Sequence, residues 1–449
     1  MTGKERILAV LDGKVTDRTP WLPFAGIHAG KLKGYTAKEV STDLVKLVES
    51  LKEVNKLYRP DGQPIMFDLQ IEAEILGCEL VWSEDAPPTV STHPLSETSD
   101  IPNHIPGPDE GRLPLEIEAM KQMKEAVGET TALYGLICGP FTLASHLRGT
   151  NIFMDMMLDP DYVHKLLDYA TDVSIAIAGY FIDAGMDVIA AVDPLVSQIS
   201  PDHFKEFMNA PFGRLFDSIR NKGAKSSFFV CGNATMNIGP MCETKPDSIS
   251  IDENVSLADA KKVTDEYGVV IGGNIPLTSV MLFGNQQDNM KATVDLIDSL
   301  DNLEGVIIAP GCDMPYDIPV ENAIAIEQAV HETEVTREMV KNYESGDLEF
   351  TGTLPDYENL KKPLMEVFTL DSATCAACTY MMATANDAGN HFGDKIDVVE
   401  YKYTTTENIA RCGVMGVKQL PSIYINGELK HSSLIPAREV LIKEIEAYL

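Results

Sequence analysis

Short apolar runs alternating with amphipathic stretches constrain this chain more than any other feature. Eight runs span 21–24, 64–68, 131–138, 187–192, 226–230, 248–251, 269–272 and 305–309. Stretches with helical spacing lie at 42–55, 114–127, 161–184, 201–222, 256–267 and 288–298. Short β-branched and aromatic runs bounded by turn residues predict buried strands, and apolar residues recurring every third or fourth position predict helices. Eight strands alternating with helices over about 300 residues predict an α/β chain that begins with a (β/α)8 TIM barrel; a doubly wound open sheet is the competing topology.

At 449 residues the chain is too long for one ordinary core and fits one large and one small domain. Its 44% hydrophobic and 23% charged content is that of a soluble globular protein. No apolar run reaches the roughly eighteen residues that suggest a membrane span. Acidic residues outnumber basic ones 68 to 36, and the resulting net charge of -32 argues against nucleic acid or an anionic membrane surface as a partner. Residues 1–14 alternate charge with apolar side chains and lack a signal peptide's continuous apolar core, so a cytoplasmic location is expected. Eight cysteines scattered through such a chain are expected as metal ligands, redox groups or buried fillers, not as a secreted disulfide framework.

The expected strand ends form a set: Asp68, Cys138, Asp193, Cys231-Gly232-Asn233, Asp252-Glu253, Gly273-Asn274 and Gly311-Cys312-Asp313. In a barrel they converge on one mouth. Cys231 and Cys312 suit zinc, which prefers thiolate and imidazole and makes a bound thiol attack as thiolate near neutral pH. They equally suit the role of small buried hydrophobes, and without metal they can oxidise to a disulfide if their geometry allows. An acid at a strand end, such as Asp68, can serve chemistry or cap the next helix, and Asp193 before Pro194 can also mark a turn.

Particular residues carry a family resemblance over about 1–330. They are Lys4-Glu5-Arg6-Ile7-Leu8, Asp17-Arg18-Thr19-Pro20, Phe67-Asp68 with Glu72-Ala73-Glu74 and Leu76-Gly77, and Gly139-Pro140-Phe141-Thr142. Gly185-Met186-Asp187, Ser200-Pro201 with Phe204, Gly273-Asn274-Ile275, and Gly311-Cys312-Asp313 followed by Pro319 and Glu321-Asn322 extend the set. Together they resemble the uroporphyrinogen decarboxylase superfamily, and the Cys-Gly-Asn and Pro-Gly-Cys segments resemble its corrinoid-dependent methyltransferase branch, which includes the methylcobamide:coenzyme M methyltransferases.

The resemblance implies zinc held by a His-x-Cys pair and a distant Cys, with a methyl group passing from a corrinoid on a partner protein to a small thiol or similar acceptor. It makes Cys231 and Cys312 metal ligands and matches Asp68 to the decarboxylases' catalytic aspartate. Asp68 and Asp193 are expected to line the pocket as catalytic residues, and Asn233 and Asn274 are expected to bind the cofactor. The chain departs from the pattern at Phe229, two residues before Cys231, because phenylalanine cannot bind metal. A third ligand must then come from elsewhere, such as Asp252, Glu253, His28 or His146. Residues 21–35 contain no arginine, which disfavours decarboxylation of a polycarboxylate porphyrinogen.

The barrel is expected over 1–343. Across 344–363 periodicity gives way to Gly, Pro and charge, predicting a linker with about seventeen flexible residues. Residues 364–449 predict a second domain: a strand at 365–370, Cys375-Ala376-Ala377-Cys378 opening a helix to about 387, a strand at 396–402 and a short helix at 407–411. Gln419-Leu420-Pro421-Ser422 then leads into 423–425, an Asn426-Gly427 hairpin turn and a closing helix at 436–448.

This combination resembles thioredoxin. The resemblance implies that Pro421 is cis and faces the dithiol. A helix N-terminus stabilises a thiolate, so Cys375 is expected as the nucleophile with the lower pKa and Cys378 as the resolving thiol. Ala-Ala stands between the cysteines and no Trp precedes them, so no reduction potential carries over.

The expected activity is methyl transfer between a corrinoid protein and a thiol at a metal-thiolate site, with a redox-active dithiol that keeps barrel thiols reduced or presents Cys375 at the mouth. The alternatives are a thiol-disulfide oxidoreductase whose barrel only binds a partner, a decarboxylase of the same family, and a non-redox interaction protein. A homo-oligomer is left open.

Overall fold

A computed structural model of the chain describes residues 1–346, 350–373 and 375–449. Residues 347–349, inside the expected linker, and Thr374 lie outside the described residues. Residues 1–196 and 200–344 form one compact unit, and 345–449 supply nearly all of a second.

The first unit is built on seven parallel strands in sequence order: β1 (Gly62–Pro64), β2 (Ala132–Cys138), β3 (Val188–Val192), β4 (Lys225–Val230), β5 (Ser248–Ile251), β6 (Val270–Ile275) and β7 (Val306–Pro310). Apart from half-buried Lys225, every strand residue is buried, as expected of a parallel sheet covered on both faces. The eighth expected strand is reduced to a bridge between Trp21 and Ile308. Leu22 N donates to Ile308 O, Ile308 N donates to Pro20 O, and Asp61 N donates to Trp21 O on the other side. The 20–22 segment thus lies between β7 and β1 and joins the ends of the sheet into a TIM-barrel-like ring. Pro20 and Pro23 lack the N–H groups a longer strand there would need.

β1 ends earlier than the expected run at 64–68. Ile65, Met66 and Phe67 are apolar because they are buried as loop, and an apolar run alone does not distinguish that from strand. Helices fill the crossovers and start where side chains satisfy their free amides. The Asp43 carboxylate accepts from Val45 N and Lys46 N ahead of Leu44–Tyr58, Ser256 caps Leu257–Tyr267, and Asn285 forms a capping box with Asp288 ahead of Gln286–Asp298.

Alternation along β4 decides which side chains meet the mouth. Phe228 packs against Phe212, at 4.1 Å between ring centroids, and against Phe216 on the covering helix Asn209–Asn221. Phe229, on the opposite face, packs against Phe24 and Phe67.

The second unit holds a four-stranded sheet in the order β9 (Asp397–Lys402), β8 (Leu364–Thr369), β10 (Ser422–Ile425), β11 (Glu428–Ser432). β8 and β9 are parallel, and the other pairs are antiparallel. Asn426 and Gly427 turn the β10–β11 hairpin with φ of 49° and 79°. The helix α1 (Ala376–Phe392) starts at Cys375 and buries Met381, Ala385 and Ala388 against Val367, Ile423 and Ile425, with Leu441 and Ile445 of the closing helix Arg438–Glu446 completing the core. The Leu420–Pro421 peptide is cis.

Part of the expected linker is held. The Tyr357 hydroxyl donates to Glu366 at 2.8 Å, and the Phe350 ring lies beneath the Arg411 guanidinium. An aromatic hydroxyl that satisfies a buried carboxylate ties this segment to the second unit, where composition predicted free chain. Among the described residues no helix is long and apolar enough to cross a membrane.

Candidate active site

Cys231 and Cys312 are 81 residues apart in sequence and joined as a disulfide, with Cα atoms 5.9 Å apart. Cys231 follows β4 and Cys312 follows β7, and both are half-buried. The loops that carry them are braced by one dipeptide after β5. Gly232 N donates to the Asp252 carboxylate at 2.8 Å, and a Cβ on Gly311 would lie 2.7 Å from Glu253 N, so only glycine allows that approach. The Asn274 amide completes the brace by donating to Asp252 O at 2.8 Å and Val255 O at 2.7 Å. Burial raises the Asp252 carboxyl above its ordinary range; burial, and then the Asp252 charge, raise Glu253 to about 8.

The residues do not fit a zinc ion held by three protein ligands. Phe229 shares a strand face with Cys231 but belongs to an aromatic cluster. His28 is committed through both nitrogens, Nδ1 at 2.9 Å from Tyr316 O and Nε2 at 2.7 Å from the Tyr58 hydroxyl, and burial lowers its pKa to about 4. His146 is buried without a hydrogen-bond partner for either ring nitrogen, and burial lowers it to about 3. Asp252 also accepts from Asn254, and the Glu253 carboxylate accepts from Leu277 N. Among the described residues no three His, Cys, Asp or Glu side chains come together in a way that could hold a metal ion.

Asp68 belongs to a different cluster. Its Oδ1 accepts from Gln70 N at 2.9 Å and its Oδ2 pairs with Arg112 Nη1 at 2.5 Å. Arg112 also reaches Glu74 through Nε at 2.8 Å and lies over the Trp82 ring, while its Nη2 is buried without a partner. Beneath them Glu72 accepts from Cys138 N at 3.0 Å and is raised by burial to about 7, and burial raises Glu116 well above the usual range. Sequence reasoning missed Arg112. The available signal was a lone cation within an acidic stretch, one residue before the helix Leu113–Val127.

Asp193 is fully buried after β3 and accepts from Phe141 N at 2.8 Å, from Thr142 N and from Thr142 Oγ1 at 2.6 Å. It therefore caps the helix Pro140–Arg148, and burial raises its carboxyl to about 7. Asn233 is half-exposed and accepts from Thr235 N at 3.0 Å. In the second unit Cys375 is half-buried and its sulfur accepts from Cys378 N at 3.3 Å. Cys378 is buried, accepts from Leu370 N, and has a thiol raised well above its ordinary range by burial and then by its bond to Cys375.

A parallel barrel whose strand ends carry a cysteine pair and buried carboxylates belongs to the class that keeps its chemistry at the carboxyl face. The uroporphyrinogen decarboxylase (URO-D) family matches residues 2–333, and the chain belongs to that family. It is 27% identical over 331 residues to the methylcobamide:CoM methyltransferase MtbA of Methanosarcina acetivorans, covering 72% of this chain and 95% of that protein. It is 28% identical over 344 residues to the methylcobamide:CoM methyltransferase MtaA of Methanosarcina barkeri, covering 73% and 97%. The uroporphyrinogen decarboxylase of Nostoc punctiforme is 26% identical over 332 residues, covering 70% and 92%. A solved methyltransferase from Methanosarcina mazei superposes with a TM-score of 0.69 at 25% identity, over 74% of this chain and 99% of that one.

Proposed function

We propose that the barrel moves a methyl group between a corrinoid, carried by a partner protein, and a small thiol or similar soft acceptor. We further propose that residues 364–449 form a thioredoxin-like dithiol module. The carrying observation is the meeting of Cys231 and Cys312 at the mouth of a barrel related to methylcobamide:CoM methyltransferases.

The corrinoid supplies a methyl group on a soft metal, which a thiolate accepts. The barrel must therefore bind a thiol, take its proton and exclude water. Glu253 lies against the Cys312 loop, and burial raises its pKa to about 8, so its carboxylate form is a stronger base toward a thiol proton than an ordinary carboxylate. Arg112, with an unpartnered Nη2 beside Asp68, offers a charged donor to an acceptor's polar end. No step is assigned to zinc, because among the described residues no third ligand joins the two cysteines.

Decarboxylation of a porphyrinogen has less support. Residues 21–35 lack arginine, and Lys31 within them is already paired with Asp317. Thiol-disulfide exchange is favoured as a second activity by one juxtaposition: Cys231 and Cys312 are brought within bridging distance at the mouth.

The test is turnover of methylcobalamin with a panel of small thiols, followed by loss of the methyl-cobalt absorbance. We expect turnover in the reduced protein and at least a tenfold loss in Cys231→Ser and Cys312→Ser. Absence of turnover with every thiol, with free or protein-bound corrinoid, would remove the methyltransferase reading.

A further inference from the structure

We infer that Cys231 and Cys312 are a two-electron thiol-disulfide couple, a redox centre at the barrel mouth whose substrates are dithiols. The inference deepens the thiol-disulfide exchange named above as a second activity and rests on that reading, not on methyl transfer.

The cysteine Cα atoms are 5.9 Å apart, inside the span of about 4.4–6.8 Å that a disulfide bridges without backbone movement. Both loops are fixed on the same dipeptide, Gly232 by the Asp252 carboxylate and Gly311 by close approach to Glu253, so the sulfurs stay within reach of each other after reduction. Of the five cysteines in the first unit, Cys78, Cys138 and Cys242 are buried, and these two are half-buried. A metal site is the competing use of two adjacent thiols. It needs a third ligand, and the position that shares a strand face with Cys231 holds Phe229 in a ring cluster.

The exchange balances without further reactants. A thiolate of the dithiol attacks one bridge sulfur, a mixed disulfide forms, and the other cysteine leaves as thiolate and takes up a proton. The second thiol of the dithiol, as its thiolate, then attacks the mixed disulfide and releases the first cysteine, which is protonated in turn. Two electrons pass to the barrel pair, and the dithiol becomes a disulfide. The mouth consequently offers two thiols in one state and none in the other.

The test uses the full chain carrying Cys375→Ser and Cys378→Ser, so that the barrel pair alone reports. The protein is equilibrated in mixtures of reduced and oxidised dithiothreitol, quenched with acid, alkylated and peptide-mapped by mass spectrometry. We expect Cys231 and Cys312 to gain alkyl groups together in one two-electron transition. In the same background Cys231→Ser should leave a Cys312 that forms a mixed disulfide with glutathione disulfide, an acyclic oxidant that cannot expel it by ring closure. A pair that stays bridged at every ratio, or stays as two thiols at every ratio, overturns the inference. So does wild-type protein in which one equivalent of zinc shields both thiols from alkylation. None of these readouts depends on methyl transfer, so failure here and failure of the methyltransferase reading are distinguishable.

Discussion

The ring of Phe229 lies 4.6 Å from that of Phe24, centroid to centroid, and packs edge-on against Phe67 at 5.6 Å. The position that would complete a His-x-Cys ligand pair is thus part of the hydrophobic packing of the mouth. Replacing it with Phe229→His should do two opposed things. Lost ring contacts and a buried imidazole should cost about 2–4 kcal/mol of stability, measured by urea denaturation. The imidazole should also join the reduced cysteines as a third ligand and raise zinc toward one per chain by metal analysis. If the variant binds no more zinc than the wild type, Phe229 is not what prevents metal binding.

Asp68 and Arg112 form a pair with little solvent access, at 2% and 11% side-chain exposure. Asp68→Asn should keep the bond from Gln70 N yet leave the guanidinium short of a charge partner, costing about 3–5 kcal/mol. Turnover per folded molecule should fall further than this stability loss explains if Asp68 also serves chemistry. The double variant Asp68→Asn with Arg112→Gln, which should recover much of the stability, is compared with Arg112→Gln alone, because Arg112 is itself proposed to hold the acceptor. Lower turnover in the double variant than in Arg112→Gln assigns chemistry to Asp68; equal turnover makes the aspartate a structural partner alone.

Much of the architecture was legible because parallel strands are buried on both faces and announce themselves as apolar runs. The strand ends at Cys231 and Cys312 followed from that signal, and so did the meeting of the two cysteines. What each side chain does once there was less legible. Asp193 serves as a helix cap with its acceptors used by Phe141 and Thr142, a role fixed by a helix more than fifty residues away. Arg112 acquires its importance from Asp68 and Glu74, again through the fold and not through spacing. Trp21 forms a bridge where a strand was expected, because the prolines beside it limit pairing. The linker's composition did not reveal that Tyr357 finds a partner in Glu366.

Burial raises Glu72 and Asp193 to about 7 and Glu253 to about 8, above the unfolded carboxyl range of about 4. Between these values the folded state binds more protons than the unfolded one. The stabilisation is therefore complete below about pH 4 and is lost as pH rises through 7 to 8. The urea midpoint should be higher at pH 6 than at pH 8.5. Glu253→Gln can still accept from Leu277 N and should flatten the part of the slope nearest pH 8. An unchanged slope in that variant would assign the dependence to other groups.

Cys375 is half-buried at the start of α1, whereas Cys378 is fully buried with its thiol raised well above the ordinary range. Of the two, Cys375 is the one with solvent access, so Cys375 should be the attacking thiol and Cys378 the resolving one. In reduced protein at pH 7, a maleimide should label Cys375 at least tenfold faster than Cys378. If this dithiol also feeds the barrel, adding a mild monothiol to oxidised protein should restore free Cys231 and Cys312 faster in wild type than in Cys375→Ser. The Cys378→Ser variant should then accumulate a mixed disulfide between Cys375 and a barrel cysteine. Phe350 and Tyr357 are held by the second unit, so less free tether remains than the composition predicted, and exchange between two copies has to be separated from exchange within one. A rate that rises with protein concentration identifies the first, and a constant rate identifies the second. Equal recovery in wild type and both serine variants would show that the barrel pair draws its electrons from another dithiol.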